Sequence, residues 1–279
     1  MKFNVQHFRS IPSTNKAVKL AIDKGKPEGF AVHALSQSAG YGRQGRTWQS
    51  PPGGMYLSVL LRPKTQKATE LPTLSLAVGV ALRRTIASFA TRGTSAVKVK
   101  WPNDIVLMRQ TEQTHKAPAA GKQPFQKLAG ISLETYKGAV CLGIGVNVFR
   151  PAEQASAPTQ LQQQTKNVPA YICDLGLECA KGSEASTNKQ QVINKLANAV
   201  AAEVSNAYAL WCEAGFAAFM AELNLHSALT GLNVRIQNMN NNTFAQGTVK
   251  GVAEDGCLIL QGKTGNTTRI SSGEAHICW

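Results

Sequence analysis

Two strand-like runs, 128–135 and 139–148, separated by a turn at Lys137-Gly138, constrain the fold more than any other stretch. Both are dense in aliphatic and β-branched residues, and the pair between them has the composition of a tight turn. Further strands are expected at 2–8, 30–35, 55–61, 97–100 and 105–108. Helices are expected after a Ser13 or Thr14 N-cap, with Gly25 as the stop, at 71–90 with Arg83 and Arg84 on the exposed side, and at 189–225 with a break at Gly215. The last fifty residues change style. Five short strands punctuated by Asn240-Asn241-Asn242, Asp255-Gly256 and Gly262 suggest a small barrel, too small to be stable alone and expected to dock on the main domain. Residues 109–126 are polar and aperiodic and read as a long surface loop. Residues 151–167 have the same character and mark a break.

The charge is lopsided. Of the formal net +14, residues 1–150 carry 22 Lys and Arg against 6 Asp and Glu, whereas residues 151–279 carry 8 against 10. A basic half of this kind could serve nucleic acid, membrane phosphates, a phosphorylated small molecule or an acidic protein. The N-terminus has no continuous apolar stretch. The most apolar window, 74–90, carries two arginines and is too short and too charged to span a membrane. Six scattered cysteines include no Cys-x-x-Cys pair and no histidine at zinc-ligand spacing, which reads as buried reduced thiols. The default is a cytoplasmic, soluble, cofactor-free protein, without a tightly bound metal.

The segment Gln37-Ser38-Ala39-Gly40-Tyr41-Gly42-Arg43-Gln44-Gly45-Arg46-Thr47-Trp48 interleaves three glycines with two arginines. Bare backbone amides and guanidiniums are what a loop needs to close around an anion such as phosphate. It lacks the Gly-Lys-Ser/Thr ending of a P-loop; a flexible basic loop of the Arg-Gly type is the other reading. In Lys100-Trp101-Pro102-Asn103-Asp104, Pro102 takes Trp101 out of helical geometry. Lys127 opens a strand three residues before Gly130, so its side chain could reach over a ligand lying on that glycine. Gly143 and Gly145 share one face of a strand and would leave a groove for a flat ligand.

In their order and spacing, Ser13-Thr14-Asn15, the Gln37–Trp48 segment, Lys100–Asp104, Lys127–Glu134 and Gly143–Asn147 resemble the bacterial biotin–protein ligases (biotin–[acetyl-CoA-carboxylase] ligases), with Ser272-Gly273-Glu274 similar to the closing motif of their C-terminal domain. The resemblance implies an α/β (α+β) fold: a mixed sheet with flanking helices, like class II aminoacyl-tRNA synthetases, over residues 1–228, then an SH3-like β-barrel over 229–279. It implies ATP-dependent formation of biotinyl-5′-AMP, with Mg²⁺, and transfer of biotin to a lysine of an acidic biotin carboxyl carrier domain of acetyl-CoA carboxylase.

By resemblance, Ser13, Thr14, Asn15 and Gln37 would satisfy the ureido head of biotin, and Gly143 and Gly145 would give it room. Tyr41 and Gly42 would contribute backbone. Arg43 and Lys127 would act at the reacting centre, on the biotin carboxylate and the adenylate. Arg46, Trp48 and Asn147 would serve ATP. Asn103 and Asp104 would hold Mg²⁺ or orient the incoming lysine. Tyr41 and Cys278 stand where many members carry arginine. The ligase motifs begin by Ser13, so the expected type is monofunctional, without an N-terminal DNA-binding domain; no DNA or membrane partner is expected, and a homodimer is an open option. A lipoate–protein ligase and a basic RNA-binding protein are the rival readings.

Overall fold

The computed structural model describes residues 1–63, 70–108, 125–151, 168–177 and 185–278. Seven strands, β1 (Asn4–Phe8), β2 (Phe30–Ala34), β3 (Gly54–Leu61), β4 (Val97–Lys100), β5 (Asp104–Met108), β6 (Phe125–Tyr136) and β7 (Ala139–Asn147), form one sheet in the order β1-β2-β3-β7-β6-β5-β4. β1 and β2 are parallel, joined through helix α1 (Thr14–Asp23); the other pairs are antiparallel, so the sheet is mixed. β6 and β7 are the hairpin expected from the sequence. Lys137 (φ 48°) and Gly138 (φ 74°) are both left-handed, the backbone that a two-residue hairpin turn requires. Phe125 and Gln126, expected in a loop, belong to β6 because they pair with Met108 and Leu107 of β5. The rest of that loop, 109–124, and 152–167 of the second polar segment lie outside the described residues.

Strand alternation splits each strand between two faces. Leu57, Val59 and Leu61 of β3, with Leu142 and Ile144 of β7, meet helices α2 (Leu71–Phe89) and α3 (Ala185–Ala214) in one large core. Leu60, Val32, Ala139 and Cys141 instead meet Val18, Ala21 and Ile22 of α1 in a smaller one. α1 starts where expected, its Ser13 hydroxyl accepting from the Lys16 amide, and it stops before Gly25 at φ 67°. Gly215, at φ 68°, divides α3 from α4 (Ala217–Leu225). Arg84 is exposed on α2 and pairs with Glu203 and Glu222, whereas Arg83 is half-buried and donates to the Val97 carbonyl.

The C-terminal strands β8 (Asn233–Gln237), β9 (Thr243–Val252), β10 (Leu258–Gln261), β11 (Thr267–Ile270) and β12 (Glu274–Ile277) form an antiparallel, SH3-like sheet in the order β11-β10-β9-β8-β12. The expected barrel does not close. Bulges in β8–β9 and β9–β10 curl the sheet, but the four-residue strands β11 and β12 remain at opposite edges. Its inner residues, among them Val234, Ile236, Val249 and Leu258, are buried in the same core as the main sheet. The buried Trp101 indole seals the junction by donating to the Gly256 carbonyl at 3.0 Å. No described helix is long and apolar enough to cross a membrane.

His33 on β2 is fully buried with its Nδ1 3.1 Å from that of His7. Burial, reinforced by the charge of His7, lowers its pKa from 6.5 to about 4. The unfolded chain therefore binds this proton first as pH falls. The stability that neutral His33 contributes is complete above about pH 6.5 and is lost toward pH 4. From pH 7 to pH 5 this group alone should cost about 2 kcal/mol of unfolding free energy. Urea titrations of the wild type and His33→Leu at both pH values check it: the variant's pH dependence should be shallower by that amount.

Candidate active site

The face that α1 covers is apolar at one end only. Toward the other end the sheet register sets small and polar residues side by side. One row runs Ser58–Gly143–Ser132 and the next Tyr56–Gly145–Gly130–Asp104, across β3, β7, β6 and, in the second row, β5. Small side chains leave space, and a cavity of about 820 Å³ opens there, roofed by the glycine-rich loop and rimmed by the β8–β9 turn and Glu274 of β12.

The neutral end is a hydrogen-bonded cluster on the first turn of α1. The Thr14 amide donates to Gln37 Oε1 at 2.8 Å, with Thr14 Oγ1 3.0 Å from the same oxygen. Ser58 Oγ lies 2.7 Å from Thr14 Oγ1 and 2.6 Å from Asn15 Oδ1. Asn15 Nδ2 donates to Ser132 Oγ (3.3 Å) and Glu134 Oε1 (3.0 Å), and Lys19 Nζ lies 2.5 Å from Glu134 Oε2. Gln37 is fixed in turn by donation from its Nε2 to Ser50 Oγ. Thr14, Asn15, Ser58 and Ser132 are all buried, so this polarity is tolerable only because it is internally satisfied.

The other end is cationic. The loop closes on itself through a Tyr41–Thr47 bridge and donation from the Gly42 amide to the Arg46 carbonyl, with Arg43–Gly45 as a 3₁₀ turn at its tip. Gly40 has no alternative: a Cβ there would stand 2.4 Å from Ser50 Oγ and 2.7 Å from the Trp48 carbonyl oxygen. Arg43 Nη1 donates to Asn103 Oδ1 at 2.8 Å, and Asn103 is itself held by donation from its Nδ2 to the Ile131 carbonyl. Lys127 Nζ lies 2.6 Å from Asp104 Oδ1 and 5.2 Å from the centroid of the Trp48 ring. Arg46 pairs with Glu274. Lys100 packs its ammonium 4.8 Å over the Phe125 ring. Burial lowers the pKa of Lys100 and also that of Arg43.

The residues expected from the sequence therefore converge on one cavity, with Ser13 as the exception. Its hydroxyl caps α1 and does not line the cavity, so it acts through the placement of Thr14 and Asn15. Lys127 does reach over Gly130, where a Cβ would stand 3.1 Å from its Cε. The room over Gly143 and Gly145 is shared with protein side chains. Asn15 occupies the space above Gly143, and the Trp48 indole packs against Gly145 and Gly130. The Trp48 indole N–H is buried there without a partner among the described residues. Asn147 lines the cavity and donates from its Nδ2 to the Lys127 carbonyl, fixing the strand that carries Lys127.

Sequence reasoning missed Ser58, Ser132, Tyr56 and Lys100. The serines carry no local signal, and only strand register brings them beside Asn15. Lys100 could have been found, because Val97-Lys98-Val99-Lys100 alternates and puts Lys98 and Lys100 on one strand face. Among the described residues, no three His, Cys, Asp or Glu side chains cluster as a ready-made metal site.

Residues 7–148, just over half of the chain, match the Biotin/lipoate A/B protein ligase family, and residues 231–276 match the Biotin protein ligase C terminal domain. The chain belongs to the biotin/lipoate A/B protein ligase family. It is 26% identical over 257 residues to the bifunctional ligase/repressor BirA of Bacillus spizizenii, covering 91% of this chain and 68% of that protein. It is 34% identical over 177 residues to the biotin--[acetyl-CoA-carboxylase] ligase of Paracoccus denitrificans, covering 58% and 65%. The fold is similar to that of the Aquifex aeolicus biotin protein ligase in complex with biotin and ATP, with a TM-score of 0.74 at 22% identity, over 99% of this chain and 98% of that one.

Gly143 tests the cluster directly. A Cβ at this position would stand 2.3 Å from Asn15 Oδ1 and 2.6 Å from Ser132 Oγ, both buried and committed. Gly143→Ala should destabilise the fold by about 1–3 kcal/mol, read from urea unfolding. Gly262→Ala, whose Cβ would come no nearer than 3.7 Å to any neighbour and whose backbone is not left-handed, should lose less.

Proposed function

We propose that the chain is an ATP-dependent biotin–protein ligase, with residues 1–228 as its catalytic part and 229–279 as the small C-terminal part. One observation carries this reading: a neutral, fully hydrogen-bonded pocket end and a four-cation end share a single cavity, with an indole between them. That polarity suits a molecule with an uncharged polar head and an anionic tail that is to meet a polyphosphate. The C-terminal match to biotin ligases, rather than to the lipoate branch of the family, supports biotin as that molecule.

In the first step, a biotin carboxylate oxygen attacks the α-phosphorus of ATP and pyrophosphate leaves. Negative charge is concentrated between carboxylate and phosphate as they approach, and Arg43 and Lys127 are the cations assigned to that centre. Asn103 aims the Arg43 guanidinium, and Asp104 holds the Lys127 ammonium until ligand oxygens compete for it. Arg46 and Lys100 would serve the phosphates, and Trp48 would lie against the adenylate. Mg²⁺ would arrive on the triphosphate and neutralise its oxygens, with Asp104 the carboxylate available to it on the cavity wall. In the second step a carrier lysine amine attacks the acyl carbonyl, the bond to AMP breaks, and the amine loses a proton. The acyl phosphate is prone to hydrolysis, so the folded-over loop also has a shielding role. The basic first half would draw in both the nucleotide and an acidic carrier domain.

Incubation with ATP, Mg²⁺ and a biotin carboxyl carrier domain should label the carrier with biotin and not with lipoate. Lipoate transfer, or RNA binding without transfer, would favour one of the rival readings. Lys127→Ala should lower biotin-dependent pyrophosphate release by at least about a hundredfold. Near-wild-type release would remove Lys127 from the reacting centre.

A further inference from the structure

Asn15 and Lys19 stand one helical turn apart on α1, so their side chains leave the same face, and both reach Glu134 on β6. Asn15 Nδ2 donates to Glu134 Oε1 at 3.0 Å, and Lys19 Nζ lies 2.5 Å from Oε2. The ammonium also has two aromatic rings beside it, with the centroid of Tyr41 at 5.5 Å and that of Tyr136 at 5.8 Å. Burial acts against its charge, yet attraction to Glu134 and Tyr41 holds the Lys19 pKa above the ordinary lysine value. Lys19 is therefore a cation in a three-sided cage. Two sides, Glu134 and Tyr136, belong to β6. The third, Tyr41, stands at the base of the glycine-rich loop, where the Tyr41–Thr47 bridge closes it.

The loop is also tied at its tip, by Arg43 to Asn103 and by Arg46 to Glu274. Those ties use guanidiniums that line the cavity, so phosphate oxygens entering it compete for both. The contact at the base differs in kind. Neither Lys19 nor Glu134 lines the cavity, and the uncharged ring of Tyr41 offers an incoming anion nothing to exchange with. When the tip ties are given up to a ligand, the tie at the base persists.

We propose that Lys19 is a positioning residue that clamps the base of the glycine-rich loop to β6 through the ring of Tyr41, and so keeps the loop closed over the acyl adenylate between the two chemical steps. This rests on the ligase reading above and deepens it by assigning retention of the intermediate to a residue outside the cavity.

The test loads the enzyme with radiolabelled biotin, ATP and Mg²⁺, removes free small molecules, and chases with excess unlabelled biotin and ATP. Loss of bound label reports escape of the adenylate. Lys19→Met keeps most of the stem without the charge. It should release label about three- to tenfold faster than the wild type, while the Kd for biotin alone, read by calorimetry, changes by less than about twofold. Lys19→Arg keeps a cation for Glu134 and Tyr41 and should restore retention. Tyr41→Leu removes the ring and should speed release at least as much as Lys19→Met, with the double variant no faster than Tyr41→Leu alone. Three results overturn the clamp: unchanged release from Lys19→Met, a loss of biotin affinity in proportion to the faster release, or additive effects in the double variant. The second would make Lys19 a prop for Glu134 and Asn15 only. If Lys19→Met does not fold, Tyr41→Leu is compared with Tyr41→Phe, which keeps the ring, and equal release from the two overturns the proposal. A wild type that forms no adenylate overturns the ligase reading, and the clamp with it.

Discussion

Four basic side chains, Arg43, Arg46, Lys100 and Lys127, converge on one partly enclosed cavity, and their mutual repulsion is the constraint on which the site depends. The chain meets it by giving each a local partner: Asn103 Oδ1 for Arg43, Glu274 for Arg46, the Phe125 ring for Lys100 and Asp104 for Lys127. These contacts hold the cations in place ready for an anionic ligand, with each contact weak enough to be exchanged for one. The Arg46–Glu274 pair is largely exposed and worth no more than about 1 kcal/mol. Its value lies in position, because it ties the tip of the glycine-rich loop to the last strand of the C-terminal sheet.

Burial, more than that tie, sets where the C-terminal sheet packs. Its inner face continues the main core, Trp101 reaches across to the Gly256 carbonyl, and Glu274 and the β8–β9 turn complete the cavity rim. Trp101 belongs to the segment that carries Asn103 and Asp104, so the same short stretch anchors the second sheet and orients two of the four cations. Stability of the junction and geometry of the site are therefore linked through packing.

The two ends of the cavity follow opposite physical rules. At the cationic end, net charge is left uncompensated for a ligand to neutralise. At the neutral end each polar group is already matched, and burial enforces that matching because an unpaired donor or acceptor there would cost about 1–3 kcal/mol. The glycines at 130, 143 and 145 let both ends exist on one sheet face. They admit Asn15, the Trp48 indole and the Lys127 stem to positions that a Cβ would fill.

By itself the sequence determined the secondary elements, the glycine-arginine loop, the basic bias of the first half and, through the order of five motifs, the family. Those features are local: a two-residue left-handed turn, a helix cap or a glycine in a tight approach is written in the residues that make it. It also marked most of the cavity, because Thr14, Asn15, Gln37, Arg43, Lys127 and the strand glycines each belong to such a local pattern. Only the tertiary structure decided what those residues touch. Ser58, Ser132 and Glu134 join Asn15 across more than forty residues of chain, and Glu274 meets Arg46 from the other sheet, because strand register and domain packing are set by burial summed over the whole core. No stretch of sequence records such pairings. For the same reason the groove over Gly145 could be foreseen while its occupant, Trp48, could not.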